Sequence, residues 1–242
     1  MTERRRFRAV TFDCYGTLVD WETGIGTAVA ELLTPRGITR PTADVLESFA
    51  RHEAESEART PILPYHALLR EVIAAVGRDL GVDFDDRDTL AFADSIGRWP
   101  LFADVLPALK RLRESMVVAI LSNVDWRSFR KTEPAFAGSV EMFCLAEDIG
   151  AYKPSPVAFQ ALLARLANRG IAVTEVLHVA QSLFHDHVPA SQLGITTCWV
   201  DRRHGQAGHG AVIPPLGQVR PDHRITSLTE LLPLVGIPGS AS

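Results

Sequence analysis

Four short polar clusters in this 242-residue sequence could act together as a reactive site. Asp13, with Tyr15, Gly16 and Thr17 close behind, follows the apolar run 7–12. Ser122-Asn123 follows the apolar run 117–121, and Tyr152-Lys153-Pro154 comes shortly after the run 140–145. Gln181-Ser182-Leu183-Phe184-His185-Asp186 follows the run 176–180. Together they offer two carboxylates, one ammonium and several hydroxyl and amide groups. A carboxylate is a weak nucleophile; it becomes an effective one where its geometry is held and a cation stabilises the developing charge. Taken singly, each residue has an ordinary structural role: Asp13 as a turn residue, Lys153 as a solvated lysine, Asp186 as a helix N-cap. Their order, each at the end of an apolar run, sets the combination apart.

Each cluster is positioned by the element before it. Residues 7–12, 117–121, 140–145, 176–180 and 196–200 are short and apolar, and read as five strands. Helical spacing or helix-start signals fall between and after them at 105–113, 126–136, 155–168, 188–193 and 227–234, with Ser155 as a cap and Pro156 at the first helical position. Such alternation builds a parallel sheet covered on both faces. Ligands bind such sheets at the carboxyl ends of strands, where the strand order reverses. The pattern is interrupted over residues 22–97. There Ile25, Val29, Leu32 and Leu33, then Leu68, Leu69, Val72, Ile73 and Val76, recur at helical spacing. Breaks at Pro35-Arg36-Gly37, at Pro61 to Pro64 and near residues 81–86 divide it into about four helices, a small bundle. The expected fold class is therefore α/β. A doubly wound, Rossmann-like parallel sheet forms a core from residues 1–20 and 100–242, and a helical-bundle cap, residues 21–99, is inserted after the first strand.

Asp13 with Gly16-Thr17-Leu18, then Ser122-Asn123, then Lys153-Pro154, then Asp186 resembles the haloacid dehalogenase superfamily over the whole chain, insert included. The resemblance implies that Asp13 is a nucleophile forming a covalent intermediate and that Lys153 stabilises its charge. Asp186 then tunes or orients that pair, and the helical insert closes over the site and excludes water.

Two departures bear on the electrophile. Phosphatases of the superfamily carry a second aspartate two residues after the nucleophile; here Tyr15 stands there, neutral at pH 7 with an ordinary pKa of about 10. They also place an acidic metal ligand after the fourth strand, where this chain has Gln181. Magnesium prefers carboxylate oxygens, so no metal or other cofactor is expected, and phosphoryl transfer would lack its neutralising cation. Tyr15 is similar to the L-2-haloacid dehalogenase branch, in which the aspartate attacks the carbon alpha to a carboxylate, halide leaves, and water hydrolyses the ester. That branch also uses a cap arginine, for which Arg51 is the expected counterpart, with Arg59 and Arg70 as further candidates. The 181–186 run is one residue longer than in that branch, and Phe159 stands where it often has Tyr.

The reading is thus a metal-independent hydrolase acting on a small 2-substituted carboxylic acid, foremost an (S)-2-haloacid. Asp13, Lys153 and Asp186 are the expected catalytic residues. Tyr15, Thr17, Trp21, Arg51, Ser122, Asn123, Ser182 and Phe184 are expected to contact substrate. Three alternatives remain: the same displacement on another 2-substituted or strained cyclic acid such as azetidine-2-carboxylate, a magnesium-dependent phosphatase, or a non-enzymatic ligand-binding or scaffold protein with a relict site. Cys14, one residue from Asp13, is expected to point away by strand alternation. His185 is read as structural or exposed, and the His204/His209 stretch as a loop.

Composition fits this class. Hydrophobic residues make up 46 % and charged residues 22 %, which suits a globular protein with a substantial core. The 25 basic and 29 acidic residues give a net charge of −4, which argues against nucleic acid as a partner; the Arg4-Arg5-Arg6 stretch reads as a solvated tail. No apolar run is long enough to span a bilayer, and the N-terminus lacks a signal-peptide pattern. Three widely spaced cysteines suit a reducing compartment, so a cytoplasmic location is expected. The resemblance implies a homodimer.

Overall fold

The computed structural model describes residues 7–60, 63–206, 210–212, 214 and 217–238. The Arg4-Arg5-Arg6 tail, Pro61, His209 and the C-terminal stretch from Gly239 lie outside the described residues. Six strands form one sheet: β1 (Ala9–Phe12), β2 (Val117–Ser122), β3 (Met142–Leu145), β4 (Val176–Ala180), β5 (Thr196–Val200) and β6 (His223–Ile225). Their order is β3-β2-β1-β4-β5-β6 and every pairing is parallel. The chain builds outward from β1 through β2 to β3, then returns to lay β4 on the other side of β1. The crevice of this sheet therefore opens where the carboxyl ends of β1 and β4 lie side by side.

Both strands are wholly buried, as their mainly apolar sequences require of central parallel strands. Their two polar residues, Thr11 and His178, are register partners, and their side chains meet at 2.8 Å, which satisfies polar atoms that would otherwise be costly to bury.

Four helices lie between β1 and β2: α1 (Trp21–Leu33), α2 (Thr42–Arg59), α3 (Tyr65–Asp79) and α4 (Asp86–Asp94). Their starts are encoded locally. Asp20 caps α1 by accepting from the Thr23 amide, and Asp85 and Asp88 form a reciprocal capping box on α4. Gly37, at φ 67°, ends the turn after α1. The insert packs on the sheet through one continuous apolar core that joins Phe12 and Leu18 to Phe49, Leu68, Phe92 and Trp99. Asp125 pins the two parts together: its carboxylate accepts from the Ser128 amide at 2.6 Å and from the His66 amide of α3 at 2.8 Å.

The remaining helices are α5 (Val105–Arg113), α6 (Trp126–Thr132), α7 (Ala146–Ile149), α8 (Pro156–Ala167), α9 (Val188–Gln192) and α10 (Leu231–Leu234). As expected, Ser155 caps α8 ahead of Pro156. The opposite face of the sheet is covered by Phe159, Leu162 and Leu166 of α8, packed on Ala9, Leu121 and Val176.

Four expectations need correction. The third strand begins at Met142, after the solvent-facing Glu141. The 126–136 helix stops at Thr132 and continues as a 3-10 turn, because Pro134 has no amide to extend it. The closing helix is confined to Leu231–Leu234, since Glu230 accepts from the amides of Thr226 and Ser227 and folds that approach into a turn. The edge strand β6 was not anticipated: its three residues, His-Arg-Ile, carry too little apolar pattern to read as a strand.

Candidate active site

Asp13 follows β1 directly, in a tight turn. Gly16 sits there at φ 85°, and a Cβ on it would lie 2.9 Å from Trp21 Nε1, so the turn requires glycine on both counts. The turn swings Thr17 back, and its hydroxyl donates to Asp13 Oδ2 at 2.7 Å while accepting from the Gln181 amide at 2.9 Å. The ends of β1 and β4 are thus tied through one hydroxyl.

Lys153 is 2 % exposed, and its ammonium donates to Asp13 Oδ1 and to Asp186 Oδ1, each at 2.7 Å. Asp186 Oδ1 also lies 3.1 Å from His178 Nε2. An ionised carboxylate only accepts, so Nε2 carries the proton of that bond and Nδ1 faces the Thr11 hydroxyl. A chain of alternating charge and hydrogen bonds therefore runs Asp13–Lys153–Asp186–His178–Thr11. Burial disfavours the charged forms of Asp13, Lys153 and Asp186, and their partners oppose that cost. The two carboxylates more than offset burial and raise Lys153 above its ordinary value. Asp186, although fully buried, is held below the carboxylate range by the Lys153 charge and the His178 bond. Asp13 ends above its ordinary value, because burial and the charge of Asp186 outweigh Lys153 and Thr17.

Asn123 fixes the lysine from behind. Its Oδ1 accepts from the Lys153 amide at 2.7 Å and its Nδ2 donates to the Lys153 carbonyl at 3.0 Å. The same Nδ2 donates to Glu57 Oε1 of α2 at 3.2 Å, so one side chain touches both the lysine loop and the helical insert.

These groups surround a cavity of about 60 Å³, sized for a ligand of a few heavy atoms. Of the expected site residues, Asp13, Tyr15, Trp21, Ser122, Asn123, Lys153, Ser182 and Asp186 line it. Thr17 lies just behind, bonded to Asp13. Tyr15 turns its hydroxyl 2.9 Å from Thr132 Oγ1, away from an acid–base role, and burial pushes that hydroxyl well up. Cys14 is buried and does not line the cavity.

Three expected placements are corrected. Arg51 lies outside the cavity: its side chain is 52 % exposed and pairs with Asp79 of α3. Arg59 and Arg70 likewise pair outward, with Glu71 and Asp86. Phe184 packs on His185 and does not reach the cavity wall. Asp186 is no N-cap. The π-helical turn Leu183–His187, which accommodates the longer 181–186 run, is capped by Ser182, leaving Asp186 free to face Lys153.

The sequence reading missed Glu53, Glu57 and Tyr65 of the insert, and read His185, which follows β4, as structural or exposed. Glu53 and Glu57, one turn apart on α2, line the cavity, as do Tyr65 and His185. The Tyr65 hydroxyl donates to Glu53 Oε1 at 2.6 Å, and His185 Nε2 lies 3.4 Å from Glu57 Oε2. Burial and the neighbouring Glu57 charge push Glu53 up to about 8. Burial alone would lower His185, but Glu57 raises it.

A family model for haloacid dehalogenase-like hydrolases matches residues 7–180. Among solved structures the chain is similar to a defluorinating L-2-haloacid dehalogenase, at 23 % identity and a TM-score of 0.79, with 95 % of each chain covered. It is similar to the L-2-haloacid dehalogenase of Xanthobacter autotrophicus with chloropropionic acid covalently bound, at 21 % identity and a TM-score of 0.78, covering 96 % of this chain and 100 % of that one. It is also similar to a magnesium-bound HAD-hydrolase of Bacillus subtilis, at 17 % identity and a TM-score of 0.77, covering 96 % and 100 %. At these identities the likeness is one of fold. No curated protein matches the sequence. No helix among the described residues is long and apolar enough to cross a membrane.

The side chains at the β1–β4 crevice fit magnesium poorly. Asp13 and Asp186 already share an ammonium, Tyr15 and Gln181 add no charge, and no group of three His, Cys, Asp or Glu among the described residues could hold a metal ion.

Proposed function

Because the chain belongs to the haloacid dehalogenase-like hydrolases, we propose that Asp13 displaces a leaving group from the carbon alpha to a carboxylate in a small acid, through an aspartyl ester. The arrangement that carries this reading is Asp13 held between the Thr17 hydroxyl and the Lys153 ammonium at the end of a small cavity. Its partners leave it few orientations, and its raised proton affinity makes the ionised form a better nucleophile than a solvated aspartate. Lys153 steadies the attacking carboxylate and then the oxyanion formed when water attacks the ester. Asp186 and His178 keep the lysine charged and in place. Ser122 offers a hydroxyl for the substrate carboxylate, while Asn123, its amide bonded to the Lys153 backbone and to Glu57, holds the lysine loop in place. Halide leaves without a proton, so a haloacid needs no acid two residues after Asp13, consistent with Tyr15 pointing to Thr132.

An (S)-2-haloacid is the first substrate to test. A strained cyclic acid such as azetidine-2-carboxylate is the second, favoured by one feature: the cavity is lined by Glu53 and Glu57 and by no arginine among the described residues. The test is a single turnover of each acid in heavy-oxygen water, followed by mass spectrometry of the Asp13 peptide. Solvent oxygen in Asp13 is the expected result, unchanged by a chelator. Label in the product alone would mean that water attacks directly, and turnover abolished by chelator would return the phosphatase reading.

A further inference from the structure

Halide leaves without a proton, so a haloacid cavity has no need of a second acid in its lining. This cavity has one. Glu53 is 8 % exposed and lines the cavity it shares with Asp13. The two carboxyls enter from opposite parts of the molecule, Asp13 from the carboxyl end of β1 and Glu53 from the second helix of the insert. Displacement at a saturated carbon turns the leaving atom away from the nucleophile, so an acid serving it must come from an element other than β1, as Glu53 does. Tyr65 occupies Glu53 Oε1 and leaves Oε2 for a proton.

We propose that Glu53 is the general acid of this site, so that the leaving atom of the substrate is a nitrogen or an oxygen rather than a halide. The inference rests on the aspartyl-ester reading and deepens it. In the first step an Asp13 oxygen bonds to the alpha carbon, the bond from that carbon to the leaving atom breaks, and its electron pair stays on the leaving atom, which takes the Glu53 proton. In the second, water adds to the Asp13 carboxyl carbon, the 2-hydroxy acid departs, and the proton then shed by Asp13 returns to Glu53. The sum is one water consumed and no net change in the protein.

The surroundings suit a carboxyl protonated at neutral pH. Burial, Glu57 on the same helix and Asp13 favour the neutral form; the Tyr65 hydroxyl on α3 and His185 on the π-helical turn oppose them, and the balance lies near 8. General acids contribute about 10²–10⁴-fold when the leaving group requires a proton.

The test compares azetidine-2-carboxylate and oxirane-2-carboxylate, whose leaving atoms are nitrogen and oxygen, with 2-chloropropionate. Wild-type enzyme should open at least one ring, with kcat/KM falling above about pH 8. Glu53→Gln should lower the ring-to-chloride ratio of kcat/KM at least about 100-fold. Tyr65→Phe removes a bond that favours the carboxylate, so it should move the alkaline limb upward, a shift that a merely structural role would not produce. Chloride release with no ring opening, or equal losses on both classes in Glu53→Gln with no movement of the limb in Tyr65→Phe, would overturn the assignment while leaving the ester intact. Absence of label from Asp13 with every probe would overturn the ester reading, and this inference with it.

Discussion

The two walls of the cavity are built on opposite electrostatic plans. On the sheet side, charges alternate and each has an assigned partner: Asp13, Lys153, Asp186 and His178 form one chain anchored on Thr11 in β1. On the helical side two carboxyls stand one turn apart, steadied by Tyr65, Asn123 and His185. In a chain of paired charges the low dielectric strengthens every attraction, and so opposes the desolvation cost of burial. A like-charge pair gains nothing from burial and resolves its conflict by keeping a proton. The sheet side is therefore suited to reacting the same way with any substrate, and the helical side to choosing which leaving group is met.

Breaking the sheet-side chain should have the largest effect. Lys153→Met leaves Asp13 and Asp186 facing each other with no cation between them. Removing one partner from a buried pair costs about 3–5 kcal/mol, and losing a group that stabilises developing charge costs about 10²–10³-fold in kcat. Urea unfolding and steady-state kinetics would read both; a variant as stable and active as wild type would show that the ammonium is not what holds the site.

His178→Ala is the next step down. It removes the donor to Asp186 and opens a gap beside Phe159, whose ring packs on His178 at 4.9 Å. About 3 kcal/mol of stability should go, with kcat lowered and KM little changed, because the loss acts through Lys153 and not on bound substrate. An increase in KM alone would place His178 in substrate binding instead.

A pH titration sharpens the same contrast. The carboxyl of Asp13 lies above its ordinary value, so activity should rise with pH through a limb displaced upward from that of a free aspartate. Asp186 lies below its ordinary value. Its stabilising contribution is thus present above the unfolded-state pKa of about 3.9 and is lost as pH falls toward the folded-state value. Activity should therefore fail on acidification before this part of the stability does. Loss of both at one pH would mean that Asp13 and Asp186 titrate as one group.

The sheet side was legible because chemistry and pattern coincide there: Asp13 directly follows an apolar strand, and Lys153 and Asp186 lie in the segments that follow two others. His178 carried a weaker signal, one histidine inside Val-Leu-His-Val-Ala, a strand that has to be buried. The helical wall was harder to read because α2 is rich in charge and looks solvated. Its apolar stripe nevertheless runs Leu46, Phe49, Ala50, and three or four residues further on that stripe reaches Glu53, with Glu57 one turn beyond. The buried acid was thus marked by its phase on the helix. The edge strand β6 had no such mark, since three residues with a single buried apolar one show no period.

The same phase argument governs the smallest expected effect. Residues on a helix advance by about 100°, so Arg51 is turned roughly that far from Ala50, which faces the cavity, and its partner is Asp79 on the neighbouring helix. Both side chains are at least one-third exposed, and such pairs contribute about 0–1 kcal/mol. Arg51→Ala should therefore change stability by no more than that and leave kcat/KM within about twofold for every acid tested. The result matters beyond its size. A guanidinium in the cavity would neutralise Glu53 and Glu57 and turn the helical wall into an anion site. If Arg51→Ala abolished turnover, the arginine would have to reach the substrate in the working enzyme, and the contrast between a paired sheet side and an acidic helical side would fail. Unchanged kinetics would leave Glu53 and Glu57 as the ionisable side chains that the insert presents to the leaving group.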